Sequence, residues 1–253
     1  MSVNQLWPIY VPTKGRAGTA QLLEKCNYEL REEMTIVVEP QDEAAYAERY
    51  PNTKRLTLPG NNGGIMVARR FVTEIARQRN HKWFWMMDDD ISAFHRTVGN
   101  KCVKFPAREV LSEAQGLAAI GRVGQLALEY QQFAWSARAP VALNSYCDVC
   151  VAIRTQATHE VDYRPVDLKE DRDFTMQMIA AGWTTVRCRQ LAFSAPKNGS
   201  NKGGLFDEYA QPGREIAAVD KLISMWPHCV TKQTKPDGRI DAKIDWKRIR
   251  KPE

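Results

Sequence analysis

No stretch of the sequence approaches the roughly 20 apolar residues needed to span a bilayer, so a membrane-embedded protein is not expected. Neither G-x-G-x-x-G nor G-x-x-x-x-G-K-S/T occurs, which removes the usual fingerprints of a dinucleotide fold and a P-loop kinase. Histidine is scarce: four in 253 residues. His81, His95, His159 and His228 have no obvious partners, and no Ser/His/Asp or Cys/His arrangement emerges. Of six cysteines, Cys147 and Cys150 form one C-x-x-C, but no second pair stands at zinc spacing. The thiols therefore read as free and mostly buried. The N-terminal residues Met1 to Gln5 lack the basic region and apolar core of a signal peptide, so a cytoplasmic location is expected. There is no internal repeat and no low-complexity tract. What remains has the size of one large domain. A formal charge of +6 and a pI near 9.0 permit a polyanionic partner without requiring one.

The most informative stretch is Trp83-Phe84-Trp85-Met86-Met87 running directly into Asp88-Asp89-Asp90. An unbroken apolar run of this length reads as a strand buried on both faces. Three adjacent carboxylates at its end repel one another unless a cation sits among them. Hard divalent cations take carboxylate oxygens, and ligands of open α/β sheets bind outside the carboxyl ends of the strands. Asp88 and Asp90, spaced as Asp-x-Asp, are the candidate metal ligands. Asp89, pointing the other way along a strand, is expected to be structural or to face a sugar. The plainer alternative is an acidic turn with Asp90 as a helix cap.

Upstream, strands and helices alternate. Strands are expected at Leu6–Val11, Met34–Val38 and Lys54–Leu58. Helices are expected from Thr19 to about Arg31, from Asp42 to Arg49 and from Ile65 to Arg79. Short connections between such units argue for an α/β fold with a doubly wound, mostly parallel sheet. The loops after Val11, Val38, Leu58 and Met87 then open at one sheet edge. Pro59-Gly60-Asn61-Asn62-Gly63-Gly64 cannot be regular structure; its glycines and the following helix N-terminus suit an anion, while a solvated loop is the bland alternative.

Downstream, Pro106 to about Phe133 is Ala-rich and reads as a broken helical region. Val141–Ile153 is strand-like. A helix from Glu170 to Ala181 opens with Glu170, Asp171 and Asp173, acids that either complement the helix dipole or meet an acceptor hydroxyl. A strand follows at Thr184–Leu191. Ser194–Gly204 is expected to be a mobile basic loop carrying Lys197 and Lys202, and Gln211–Trp226 a helix. Residues 231–253 hold eight Lys or Arg against four Asp or Glu. They are taken as a basic extension of a domain spanning 1–230.

Taken together, Val11-Pro12-Thr13-Lys14-Gly15-Arg16, Val38-Glu39-Pro40, Gly63-Gly64 with Ala68-Arg69-Arg70, and Met87-Asp88-Asp89-Asp90-Ile91 resemble a GT-A glycosyltransferase. Lys169-Glu170-Asp171-Arg172-Asp173-Phe174 with Gly182-Trp183 is similar to that fold's acceptor-side helix. The DDDI run and Ser200-Asn201-Lys202-Gly203-Gly204 resemble, more narrowly, the TET/JBP-associated glycosyltransferases, phage and related enzymes that glycosylate hydroxymethylated DNA bases. The resemblance spans roughly Leu6 to Trp226.

The resemblance implies a GT-A-like mixed sheet with flanking helices and a nucleotide-sugar donor, UDP-linked, used with Mn²⁺ or Mg²⁺. It implies that Pro12, Thr13 and Arg16 hold the base and ribose, with Glu39 closing over the base. Gly63, Gly64 and Arg69 would line sugar and diphosphate, Asp88 and Asp89 would face ribose or sugar, and Asp90 would bind metal. Lys202 would reach the diphosphate, and Asp171 or Glu170 would face the acceptor, a hydroxymethylated pyrimidine such as 5-hydroxymethylcytosine in DNA. The basic extension lies outside the resemblance: its Lys243, Lys247, Arg248, Arg250 and Lys251 would clamp DNA phosphates beside Trp246, or it is packed on the domain or a solvated, frayed tail. A glycan acceptor, or a nucleotidyltransferase using the same acids, remains the alternative.

Overall fold

Short apolar runs separated by polar turns make the first half of the chain alternate between strand and helix. The computed structural model describes residues 5–26, 28–119, 121–137, 139–197 and 200–249. Arg250 and Lys251, expected as phosphate clamps, and Asn198 and Gly199 of the basic loop lie outside the described residues. The order is β1 (Ile9–Pro12), α1 (Gln21–Lys25), α2 (Tyr28–Glu33), β2 (Met34–Val38), α3 (Glu43–Arg49), β3 (Lys54–Thr57), α4 (Gly64–Gln78) and β4 (Trp83–Met87). The helix expected from Thr19 to Arg31 is thus two short ones. Cys26 adopts an extended backbone after α1, and Ala20 rather than Thr19 precedes it.

The second half departs further from expectation. It runs β5 (Ala93–Val98), β6 (Lys101–Lys104), α5 (Ala107–Gly116), β7 (Val123–Tyr130), α6 (Gln131–Ala134), β8 (Val141–Leu143) and β9 (Cys150–Arg154). Then come α7 (Glu170–Ala180), β10 (Thr184–Ser194), α8 (Phe206–Ala210), α9 (Arg214–Met225), β11 (Val230–Thr234) and β12 (Ile240–Ile244). The expected broken helix of Pro106–Phe133 is in fact one helix followed by β7, a strand with seven of its eight residues buried. Gly124 is the reason that strand fits. A Cβ there would meet the Trp183 side chain at 2.9 Å, closer than real Cβ atoms come.

The main sheet has ten strands in the order β3-β2-β1-β4-β9-β7-β10-β5-β6, with β8 paired to β10. Pairing is parallel for β1 with β2 and β4, β2 with β3, and β7 with β10. It is antiparallel around β9, β5 and β8. Seven strands, β1 to β4 with β6, β7 and β10, therefore run one way and three run against them, the mixed, mostly parallel sheet the sequence implied. Among the described residues no helix is long and apolar enough to cross a membrane.

Successive residues of β4 face opposite sides of the sheet. Trp83, Trp85 and Met87 enter the core that includes Leu22, Leu23 and Val110, while Phe84 and Met86 enter the one that includes Ala68, Val72 and Phe174. Residues of the expected basic extension form the β11–β12 hairpin. It closes a third core, in which Val230, Ala242 and Ile249 pack on Val219, Leu222 and Trp226. Asp241 pairs with Lys169 at 3.2 Å and Arg172 at 2.7 Å, joining the hairpin to α7.

Candidate active site

Parallel strands deliver their following loops to one edge, and there a cleft of about 1170 Å³ opens to solvent. Pro12, Thr13, Arg16, Glu39, Gly64, Arg69, Asp88, Asp89, Asp90, Glu170 and Asp171 all line it. Gly63 and Lys202 do not. Gly63 is the residue preceding α4, where a Cβ would meet the Val67 side chain tightly, at 3.1 Å. Lys197 takes the lining position expected of Lys202, and its Nζ also pairs with Asp237 of the hairpin turn at 3.1 Å.

The alternation of β4 carries into the three acids. Asp88 turns to the α4 side, where Arg69 Nη2 donates to its Oδ1 at 3.0 Å. The same guanidinium reaches Glu170 Oε1 at 2.9 Å through Nη1. One buried arginine thus ties the end of β4 to the start of α7. Burial opposes the charge on Arg69, but Glu170 and Asp88 more than offset it and hold the group protonated. Asp89 turns the other way and is buried. It accepts from the Thr13 hydroxyl at 2.5 Å and from Arg16 Nη1, and its carbonyl accepts from Leu22 N at 2.9 Å. A carboxylate so fully engaged is a frame member, which favours the structural one of the two roles expected of Asp89 over the one facing a sugar.

Arg16 also differs from expectation. Its Nε donates to the Lys202 carbonyl at 2.9 Å, and its Nη2 to those of Gly203 and Asn201 at 3.1 and 3.3 Å. Together with Asp89 this engages the guanidinium around its edge, so it pins the glycine loop instead of offering itself to a base or ribose. Gly204 N adds a bond to the Lys14 carbonyl at 3.0 Å. The loop expected to be mobile is therefore anchored over its Asn201–Gly204 part. Gly203 has φ of +79° and a virtual Cβ 2.8 Å from Arg16 Cγ, so only glycine fits. Glu39 is likewise an anchor: it accepts from Asn62 N at 2.9 Å and Gln41 Nε2 at 2.6 Å, and it pairs with Lys14 at 3.3 Å. It fixes the Asn/Gly loop against β2.

Asp90 is the exception. Among the described residues no lysine or arginine forms an ion pair with it. Burial, with Asp88 and Asp89 beside it, lifts its carboxyl to about 7. Glu170 is also lifted to about 7, by burial against the pull of Arg69. Asp171 lines the cleft and accepts from Arg172 N at 2.7 Å.

Sequence reasoning missed Asp148. It stands between Cys147 and Cys150, in a run read as an ordinary core strand. The strand β9 starts only at Cys150, and Val149 adopts φ of +55°, a rare conformation for a β-branched residue. The Val149 carbonyl accepts from Asp88 N at 2.9 Å, which holds the bend. That bend aims Asp148 into the cleft, where Tyr130 donates to it at 3.2 Å. Burial, then the Asp171 charge, lift Asp148 to about 7 against the pull of Arg172. The available signal was a lone acid inside an apolar run.

These acids suit a hard cation only in a particular way. No group of three or more Asp, Glu, His or Cys able to hold a metal is present among the described residues. Magnesium-like ions are commonly held by one or two carboxylates and completed by substrate phosphates and water. The uncompensated Asp90, next to Asp88, fits that arrangement.

A model of the TET-Associated Glycosyltransferase family matches residues 7–204. Among solved structures, the chain is similar to CMP:2-keto-3-deoxy-manno-octonic acid synthetase complexed with CTP, with 13% identity, a TM-score of 0.45, and 87% of this chain and 97% of that one covered. It is also similar to A197 from STIV, with 9% identity, a TM-score of 0.42, and 94% and 93% covered. No curated protein matches. The family match spans well over half of the chain, carries the cleft from Pro12 to Gly204, and has one consequence: the chain belongs to the TET-associated glycosyltransferases.

Proposed function

We propose that this glycosyltransferase moves a sugar from a nucleotide-sugar donor, UDP-linked, to the hydroxyl of a hydroxymethylated pyrimidine in DNA. The observation that carries the reading is the uncompensated Asp90 beside the Arg69-bridged Asp88 and Glu170, at the carboxyl ends of parallel strands. Base and ribose lie toward Pro12, Thr13 and the Lys14–Glu39 pair. The diphosphate lies over Gly64 and the N-terminus of α4, whose free backbone N–H groups favour an anion. Asp90 and Asp88 would hold Mn²⁺ or Mg²⁺ with donor phosphate oxygens, and the bound ion would stabilise charge on the leaving diphosphate.

On the acceptor side, Asp171, Glu170 and Asp148 face the same space. Arg69 neutralises Glu170, which leaves Asp148 or Asp171 to accept the proton of the attacking hydroxyl. Asp148, lifted to about 7, suits that role, because a base works best when its pKa lies near the working pH. The basic hairpin and the family resemblance support DNA as acceptor.

The test is incubation with DNA containing hydroxymethylated pyrimidines, Mn²⁺ and a panel of nucleotide-sugars, followed by mass measurement of the released nucleosides. A nucleoside heavier by one sugar is the expected product. Donor hydrolysis with unmodified DNA would point to a glycan acceptor.

A further inference from the structure

At the opposite end of the sheet, where β4 begins and β9 finishes, lies a second pocket of about 720 Å³ open to solvent. Arg77, His81, Lys82, Arg154, Thr155 and His159 line it, and no carboxylate does. Arg77 has a structural explanation. It sits in the last turn of α4, where cations complement the helix dipole. It donates to Thr158 Oγ1 at 3.0 Å and to the Thr158 carbonyl, and it pairs with Glu74 at 3.4 Å.

Arg154 has no such explanation. It comes from another element, and among the described residues no carboxylate pairs with it. Its guanidinium carbon lies 5.8 Å from the Trp83 ring centroid and 5.7 Å from that of Trp183. Its Nη1 makes one long bond to the Val123 carbonyl, 3.4 Å, and its Nε is buried with no partner. Thr155, 7% exposed, has an unpartnered buried hydroxyl. Lys82 is exposed, and among the described residues no acid pairs with it. Two acids beside lining residues are engaged: Glu74 pairs with Arg77 at 3.4 Å, and Glu160, next to His159 in the chain, holds Arg122 at 3.2 Å and the Trp183 indole at 3.1 Å.

We propose that this pocket is an anion site, distinct from the catalytic cleft, that takes a phosphoryl group between Arg154, Lys82 and the Thr155 hydroxyl. Two indoles hold the arginine in place, so little side-chain freedom is lost on binding. A buried hydroxyl and a buried N–H without partners are costly unless a ligand or water meets them, and a phosphate oxygen can accept from both. The group can belong to a free phosphate compound or to the backbone of nucleic acid.

The experiment titrates inorganic phosphate, then a 20-bp duplex, into the full chain. It follows the indole N–H resonances of Trp83 and Trp183 by NMR and measures duplex affinity at several salt concentrations. Phosphate is expected to shift both indoles. Arg154→Met, which keeps a flat apolar contact with the indoles, is expected to weaken phosphate binding about tenfold or more. Lys82→Gln, on an exposed side chain, is expected to weaken it by a smaller factor and covers the case that the first variant misfolds. A duplex affinity that falls in both variants, with a shallower salt slope, assigns the site to nucleic-acid backbone. Weakened phosphate binding with unchanged duplex affinity assigns it to a free phosphate compound. Indoles that do not move with phosphate, or binding that survives both substitutions, would overturn the proposal.

Discussion

The two ends of β4 solve the problem of charge in opposite ways. At its carboxyl end, eight acidic side chains and four basic ones line the cleft. Half of the acids are paired with a cation: Asp89 by Arg16, with Thr13 adding a hydrogen bond, Asp88 and Glu170 by Arg69, and Glu39 by Lys14. At its amino end, Arg154 and Lys82 gather without a counter-charge. An interior pair of opposite charges is rigid, and losing either partner is costly. A half-buried cation held by two rings and one long hydrogen bond has less to lose. The cleft is accordingly a preorganised frame around Asp90 and three further acids, Asp148, Asp171 and Glu208, that have no paired cation among the described residues, whereas the basic pocket is a surface with charge to spare.

The same substitution at the two ends should separate them most sharply. Arg69→Met leaves Glu170 and Asp88 without their common partner and is expected to cost about 3–5 kcal/mol of stability. Arg154→Met breaks no ion pair and loses its interaction with two rings and one long bond to the Val123 carbonyl, about 1 kcal/mol. Urea unfolding of both variants measures the difference. Equal losses would mean that the Arg69 bridge is not the keystone described above.

Asp90→Asn probes the uncompensated acid itself. Activity should fall by about 10²–10³, the scale for losing one electrostatic contact to developing charge. Stability should hold or rise, since a repelled buried charge is removed. A variant that keeps its turnover but unfolds more easily would make Asp90 a structural acid.

The pH dependence of stability should have opposite signs at the two ends. Asp90, Asp148 and Glu170 are lifted to about 7 in the folded chain, well above their ordinary carboxyl values. Between about pH 4 and 7 the folded state then binds more protons than the unfolded one, so these groups make stability fall as pH rises, levelling off above 7. His81 is lowered, by burial and then by Arg79. It binds fewer protons when folded, so its contribution is lost as pH drops through the ordinary histidine value. Melting temperatures from pH 5 to 8 in the presence of a chelator should therefore decline toward neutral pH. Asp148→Asn should flatten that decline, and His81→Gln should raise the acid limb slightly. A melting temperature that climbs steadily toward pH 8 in wild type would contradict the lifted acids.

The donor side of the cleft was legible in the sequence because each of its parts is local. Buried apolar runs mark β2 and β4, and the polar loop after each strand carries its own chemistry. What the local pattern does not encode is which cations the acids meet. Arg16 and Arg69 looked like ligand contacts, and only the fold brings Asp89 and the 201–203 carbonyls to one, and Asp88 with Glu170 to the other. Asp148 was hidden because the residues around it are apolar and its exposure depends on a left-handed valine. Strand β7 was hidden because Ala, Leu, Gln and Glu favour helices, and the close approach of Trp183 that calls for Gly124 is a tertiary contact. The hairpin was hidden within the basic extension for a similar reason: its apolar residues are few and spaced, and only α9 makes a core of them.

The smallest expected effect concerns that hairpin. Removing residues 231–253 is a poor test of DNA binding, because it would strip the third core from Trp226 and Leu222 and destabilise α9. Lys243 and Lys247 are exposed, and among the described residues neither forms an ion pair, so they can be changed without touching that core. Lys243→Gln and Lys247→Gln should each leave stability within about 0.5 kcal/mol. If each contacts a phosphate, the slope of log affinity against log salt for duplex DNA should fall by about one per substitution. An unchanged slope in both would make the hairpin a packing element alone. With DNA as the proposed acceptor, its positive contacts would then have to be sought at the other end of β4, where Arg154→Met gives the decisive comparison in the same salt titration.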